Sequence, residues 1–468
     1  MATQRFDDDW FMRRRDRLLR PWATPRTTVF RTVAALRAGS ARSDRRTEEQ
    51  EFFERALSRL APRHAAAARA HAQFYCACLE SLALVPADEM VRAALQIEWF
   101  WYTSPFKAFY RDHLAHVMKV ALIAYDLAVT SDGPLAREDE SALDWIAKGL
   151  ATNALGTHAL RQAARRAGCT AADLDSNDFW RDALLEALKT AALLHDLAYP
   201  SQMAAKLRHA SAPADPFAVF AFPDESAVSR TLRLVDDTLV TTPFTRGELR
   251  PLDGGERVIA QSMLTRSHSF QAGAYILERR RESERTWRLA PREAFALEWA
   301  ALAASLHDYD KAYEARPGSG KDAGADTALR AWLTADPRRP AVPPALENLA
   351  AVRPTFARDP ASYLLALADQ LQDFGRLNFE RVQDASPEVV PLKLRYPWRA
   401  VTFSAQGDNA TVVFELGSDD NTCFGCPGVS EREALVARKF ADAAKIFGPG
   451  GWLDHSGLFA SVETRCVG

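Results

Sequence analysis

Over residues 106–130 the apolar positions Leu114, Val117, Val120, Ala121, Ala124 and Leu127 recur three and four residues apart, which predicts a helix with one buried stripe. Ser104-Pro105 precedes it, with proline where a first helical turn tolerates it. The same period predicts helices over 48–80, with a boundary at Pro62, and over 88–101, 179–198, 258–281, 291–313 and 359–378. Residues 131–178 read as a helical insertion with loops at 131–134 and 173–177. Five prolines and Gly254-Gly255 make 209–258 mostly connecting loop, and 315–325 is a second, Gly-rich one. From Ala400 the period changes to two: residues 400–404 and 410–416, joined through Gly407-Asp408-Asn409, predict a β-hairpin, and 430–447 returns to a helix. The expected fold is mainly α, an all-helical core carrying a small α+β C-terminal appendage. We divide it into an N-terminal helical arm (1–84), a core (85–385) with insertions at 131–178 and 209–257, and a C-terminal segment (386–468).

Composition narrows the function classes. The chain has 468 residues, 47% of them hydrophobic, enough for two or three domains. Its 59 Lys and Arg meet 61 Asp and Glu, so it lacks the basic excess of a protein that binds nucleic acid over its whole surface. The first 46 residues are the exception, with twelve Arg, five Asp and no Lys or Glu, a local charge of +7. Arg13, Arg14, Arg15, Arg17 and Arg20 suit the basic face of a helix, either solvated or a phosphate-contacting arm. Nucleic acid is therefore not the favoured partner, and a homo-oligomer stays open. No run of about 18 uncharged apolar residues occurs, so no membrane span is expected. Asp7, Asp8 and Asp9 contradict an organellar presequence, and six scattered cysteines do not form a disulfide framework. Cys423-x-x-Cys426 has no second pair. A reducing cytoplasm is the expected location.

The chemistry lies in polar residues set inside apolar helices: His113 and His116, His195-Asp196, His268, His307-Asp308, and Asp369. Burying one unpaired Asp or His costs several kcal/mol, so a series of them requires compensation, which shared cations supply. Imidazole and carboxylate together suit Fe, Mn, Zn, Co or Ni, with Mg a further candidate. Neighbours on a helix lie about 100° apart, so His195 and Asp196 can aim at two ions from one edge. Asp196, with two oxygens, is then the natural bridge.

This ordered series resembles the HD-domain superfamily of metal-dependent phosphohydrolases, over roughly residues 100–380: a His, then His-Asp, then two His in the dinuclear branches, then a distant Asp. The resemblance implies two divalent transition-metal ions held by His113, His195, Asp196, His268, His307 and Asp369. His113, with Val117 four residues on, fits the first-ligand segment, although His116 competes for that place and is otherwise assigned to outer-sphere or proton-transfer work. The implied reaction is hydrolysis of a phosphate ester, a nucleotide or cyclic nucleotide, by attack of a metal-bridging hydroxide. Asp196, His116 and Lys311 are the expected catalytic residues, and Arg266, Lys119, Lys311 and Tyr199 the expected substrate contacts. The alternatives are a diiron oxygenase on the same ligands and a non-catalytic nucleotide-binding regulator.

Overall fold

Where the apolar stripes are capped, helices form. In the computed structural model the described residues are 2–19, 75, 77–79, 82, 109–111, 113–155, 158–199, 268, 269, 272, 273, 275–277, 280, 289–308, 357, 359–374, 378–381, 392–394, 398–406, 409–416, 429–447, 453 and 461–467. In chain order the helices are α1 (Asp8–Leu19), α2 (His113–Val129), α3 (Ala142–Ala151), α4 (His158–Arg166), α5 (Ala171–Leu174), α6 (Asn177–Leu194), α7 (Pro291–Leu306), α8 (Pro360–Leu371) and α9 (Val429–Phe447). The strands are β1 (Ala2–Asp7), β2 (Phe109–Arg111), β3 (Asn378–Arg381), β4 (Leu392–Leu394), β5 (Trp398–Gln406), β6 (Asn409–Leu416) and β7 (Ser461–Val467).

The core is built around α6, which packs against α2, α3, α7 and α8. Ser176 caps it by accepting from the Phe179 amide at 3.3 Å, satisfying one of the donors a helix start leaves open. Its inward residues include Trp180, Leu184, Leu188 and Ala191, all fully buried. Trp180 meets Phe295 and Trp299 of α7 edge-on, with ring centroids 5.7 and 6.3 Å apart, the geometry that the ring quadrupole favours. At α8 the cap is Asp359, completely buried. It accepts from Trp299 Nε1 at 2.7 Å, from the Ser362 amide at 3.2 Å and from the Ser362 hydroxyl.

Burial pushes the Asp359 carboxyl above its ordinary value, against the pull of those hydrogen bonds. The folded protein therefore holds the Asp359 proton more tightly than the unfolded chain. Stability is fullest below the unfolded-state pKa and falls as pH rises toward the folded one. Asp359→Asn keeps an acceptor oxygen for Trp299 and the Ser362 amide without the charge, and its NH₂ donates to the Ser362 hydroxyl. We expect its urea midpoint to equal or exceed that of the parent at pH 7, the difference shrinking toward pH 4; a deficit that grows with pH would contradict this.

Four helix predictions end early or start late. Residues 109–111 are strand, not helix, because Phe109, Tyr110 and Arg111 pair antiparallel with Glu380, Phe379 and Asn378. That pairing also shortens the expected 359–378 helix, which stops at Leu371. The expected 179–198 and 291–313 helices stop at Leu194 and Leu306, placing both His-Asp pairs just beyond a helix end. The 131–178 stretch carries α3, α4 and α5.

The hairpin is present as β5 and β6, antiparallel through Phe403 opposite Val412. It belongs to a four-stranded sheet ordered β1-β5-β6-β7, with β7 parallel to β6 after the α9 connection. Alternate β6 residues Ala410, Val412 and Phe414 are buried, and Lys439 of α9 sits 4.2 Å above the Phe414 ring. The edge strand β1 comes from the expected N-terminal arm. Ala2–Asp7 pair with residues 400–405, so the arm opens with a strand of the C-terminal sheet, and its helix follows. The arm is anchored by Phe6 against Trp10, by Trp10 against Phe374, and by Arg14 to the buried Asp126 at 2.6 Å. At least one arginine of the basic face thus serves internal packing. No helix among the described residues is long and apolar enough to cross a membrane.

Candidate metal centre

Two helices end the same way. α6 finishes at Leu194 with His195-Asp196 in the turn beyond it, and α7 finishes at Leu306 with His307-Asp308. Each histidine keeps αR backbone, at φ −58° for His195 and −64° for His307. Each donates its Nδ1 proton to the carbonyl three residues back, His195 to Ala192 at 2.8 Å and His307 to Ala304 at 2.6 Å. A carbonyl only accepts, so Nδ1 carries a proton and Nε2 is the nitrogen turned to the cluster, the one a metal ligand would use. The two rings stand edge-on, 4.7 Å between centroids.

Around them the side chains fall into two groups joined by one carboxylate. His116 Nε2 is 3.0 Å from Asp369 Oδ1, and His195 Nε2 is 3.9 Å from the same oxygen. Asp196 Oδ2 faces this group, 3.5 Å from His116 and 3.8 Å from His195. Asp196 Oδ1 faces the other group, 2.9 Å from His268 Nε2 and 3.7 Å from His307 Nε2. His268 and His307 present Nε2 to each other at 3.2 Å. Two triads, His116-His195-Asp369 and His195-Asp196-His307, can each hold a metal ion.

The residues fit a cation on their own evidence. His195 is fully buried, yet its Nε2 has no hydrogen-bond partner among the described residues. An orphaned buried nitrogen is costly, and a metal ion is the partner its bare lone pair suits. Two Nε2 atoms at 3.2 Å cannot both satisfy themselves with lone pairs alone, whereas a shared cation satisfies both. The field points the same way. Burial resists ionisation of Asp196, but His195 and His268 hold it well below the ordinary carboxylate range. Burial likewise opposes charge on His307, but Asp196, Asp369 and Asp308 outweigh it and push the imidazole up to about 9. Desolvation wins at His195, pushed down to about 4, which keeps its ring neutral and available as a ligand.

Of the six expected ligands, His195, Asp196, His268, His307 and Asp369 converge. In place of His113, the structure brings in His116. His113 instead stacks on Tyr199, ring centroids 3.5 Å apart and 27° from parallel, and Tyr199 stands edge-on to His268 at 6.0 Å. The reason is helical geometry: three residues rotate the side chain by about 300°, enough to exchange the central position for the edge. Tyr199 therefore lies at the rim of the cluster, where a substrate contact was expected.

Lys119, expected to contact substrate, is only 1% exposed and is held elsewhere. Its Nζ is 2.5 Å from Asp8 and 3.4 Å from the Phe374 carbonyl, 5.1 Å from the Phe374 ring centroid. Lys119→Met should therefore lower stability by about 1–3 kcal/mol, the range for a lost buried charged hydrogen bond whose partner stays near water. KM for substrate should not move, and a raised KM at unchanged stability would restore the substrate-binding reading. Arg266 and Lys311 lie outside the described residues, as do Cys423, Cys426 and residues 209–258 and 315–325.

Sequence reasoning missed Gln372, which sits against His116, and left Asp308 undecided. Asp308 Oδ2 is 3.9 Å from His268 Nδ1, on the side of that ring away from Asp196. The available signal was spacing: Gln372 follows Asp369 by three residues. No protein family, curated protein or solved structure matches this chain.

Proposed function

We propose that this protein is a metal-dependent phosphohydrolase of the HD-domain type, acting on a phosphate ester such as a nucleotide or cyclic nucleotide. The observation that carries the reading is Asp196, with one oxygen toward His116 and His195 and the other toward His268 and His307. A carboxylate shared between two histidine pairs, with Asp369 closing one of them, suits two divalent ions. Bound there, such ions supply Lewis-acid charge and lower the pKa of water for attack at phosphorus.

The chain's own groups do the rest. The Ala192 and Ala304 carbonyls fix which nitrogen His195 and His307 present. Asp196 and Asp369 keep the cluster negative, so that cationic charge is drawn in. Buried leucines at the ends of α6 and α7 exclude water from the ligands' outer side, which raises the worth of each charge interaction. Tyr199, over His113, is the described group best placed to meet a substrate at the rim. Lys311 and Arg266 remain our proposed phosphate contacts, on sequence position alone.

The test is metal analysis of the purified full chain together with a panel of nucleotide and phosphodiester substrates under Mn, Fe, Co, Ni, Zn and Mg. We expect two ions per chain and metal-dependent release of phosphate or nucleotide. Substrate-dependent O₂ uptake without ester hydrolysis would select the oxygenase instead. Tight nucleotide binding without turnover under every metal would select the regulator.

A further inference from the structure

His195 and His307 are oriented by carbonyls of their own helices, whereas His116 is oriented by a side-chain amide. Its Nδ1 lies 2.5 Å from Gln372 Oε1. Gln372 is 2% exposed and lies just past the end of α8, three residues after Asp369. Its backbone amide is anchored to the Ala368 and Asp369 carbonyls. The other end of its side chain, Nε2, donates to the Phe374 carbonyl at 3.0 Å. The same carbonyl accepts from Lys119 Nζ at 3.4 Å, and Lys119 is in turn paired with Asp8.

We infer that Gln372 is the positioning residue for His116, fixing the ring's tautomer through the Phe374 carbonyl so that Nε2 offers its lone pair toward Asp369 and Asp196. A carbonyl oxygen accepts only, so the Gln372 group facing Phe374 must be the NH₂. That leaves Oε1 facing His116, and Oε1 also accepts only. His116 must then carry a proton on Nδ1, which leaves Nε2, 3.0 Å from Asp369 Oδ1, as the nitrogen a cation would claim. The flipped amide would set two oxygens 3.0 Å apart at Phe374 and leave the proton on Nε2, against Asp369, where a ligand lone pair is needed. Lys119, on the second lone pair of the same carbonyl, holds that acceptor in place. The short path from Asp8 through Lys119 and Phe374 to Gln372 means that the arm which supplies β1 also fixes one ligand of the cluster.

This inference rests in part on the metal-centre reading, and two readouts separate them. The first needs no metal: long-range proton–nitrogen correlations of histidine-labelled apo protein, at alkaline pH where the ring is neutral. Wild-type His116 is expected to be protonated at Nδ1, and Gln372→Met should populate both tautomers. The second is zinc affinity by chelator competition on the full chain. Gln372→Met should weaken binding about 10- to 100-fold, the range for loss of a metal ligand's outer partner. Gln372→Glu keeps an acceptor for Nδ1 but loses the donor to the Phe374 carbonyl, and should fall between wild type and Gln372→Met. A wild-type His116 protonated at Nε2, or a folded Gln372→Met with unchanged affinity and an unchanged tautomer, would overturn the assignment. Should the wild type bind no zinc, the metal reading fails, and the tautomer of His116 alone decides the role of Gln372.

Discussion

Asp196→Ala is expected to empty the cluster of metal and abolish hydrolysis of any phosphate ester the protein accepts. The side chain is 8% exposed, and both of its oxygens are committed. One is 2.9 Å from His268 and 3.7 Å from His307, the other 3.5 Å from His116 and 3.8 Å from His195. Its removal deletes a ligand oxygen from each half at once. It also leaves Asp369 as the main counter-charge to four imidazoles, so the site loses much of the field that draws a cation in. Loss of an outer partner alone typically costs 10- to 100-fold in affinity, so loss of a bridge should cost more than about 100-fold. Asp196→Asn is the graded control, since it keeps the volume and one oxygen but no charge, and should retain at most one ion per chain. Far-ultraviolet circular dichroism is expected to be unchanged in both, because Asp196 lies past the end of α6 and its capping and packing are made elsewhere. Full metal occupancy in Asp196→Ala would sink the metal-centre reading.

The parts of this molecule that a sequence discloses are those governed by short-range rules. The stripe from Leu114 to Leu127 and the alternation from Ala400 to Leu416 were legible because a buried face imposes a period of 3.6 or 2 on neighbouring residues. The His-Asp pairs were legible because charged groups in apolar runs need compensation, whatever the fold. What stayed hidden depends on partners far along the chain. Nothing near Phe109 announces that it pairs with Glu380, and nothing near Ala2 announces the β5 edge. The exact stop of α6 was also hidden, and it matters: His195 turns its Nδ1 back onto its own helix only because the helix ends at Leu194. The partner of Lys119 was hidden for the same reason, since Asp8 lies 111 residues away. Gln372 was overlooked because an amide carries no charge to flag it.

The choice between His113 and His116 produces the second large effect. Three residues apart on α2, they differ in what they face: His116 faces Asp369 and Asp196, while His113 lies on Tyr199. An ion that binds only the folded protein stabilises it by RT ln(1 + [L]/Kd), about 1.4 kcal/mol for each tenfold rise in concentration above Kd. Wild type and His113→Ala should therefore both gain thermal stability steadily as zinc is raised. His116→Ala should respond only at concentrations about 100-fold higher or more, since it removes a ligand and not merely an outer partner. In excess chelator the order changes its meaning. There His116→Ala leaves Gln372 Oε1 buried without its donor, a cost of about 1–3 kcal/mol, so part of its instability persists with no metal present. Subtracting the chelator value from the zinc value isolates what His116 contributes as a ligand. A flat zinc response in His113→Ala beside a normal one in His116→Ala would return the first-ligand role to His113.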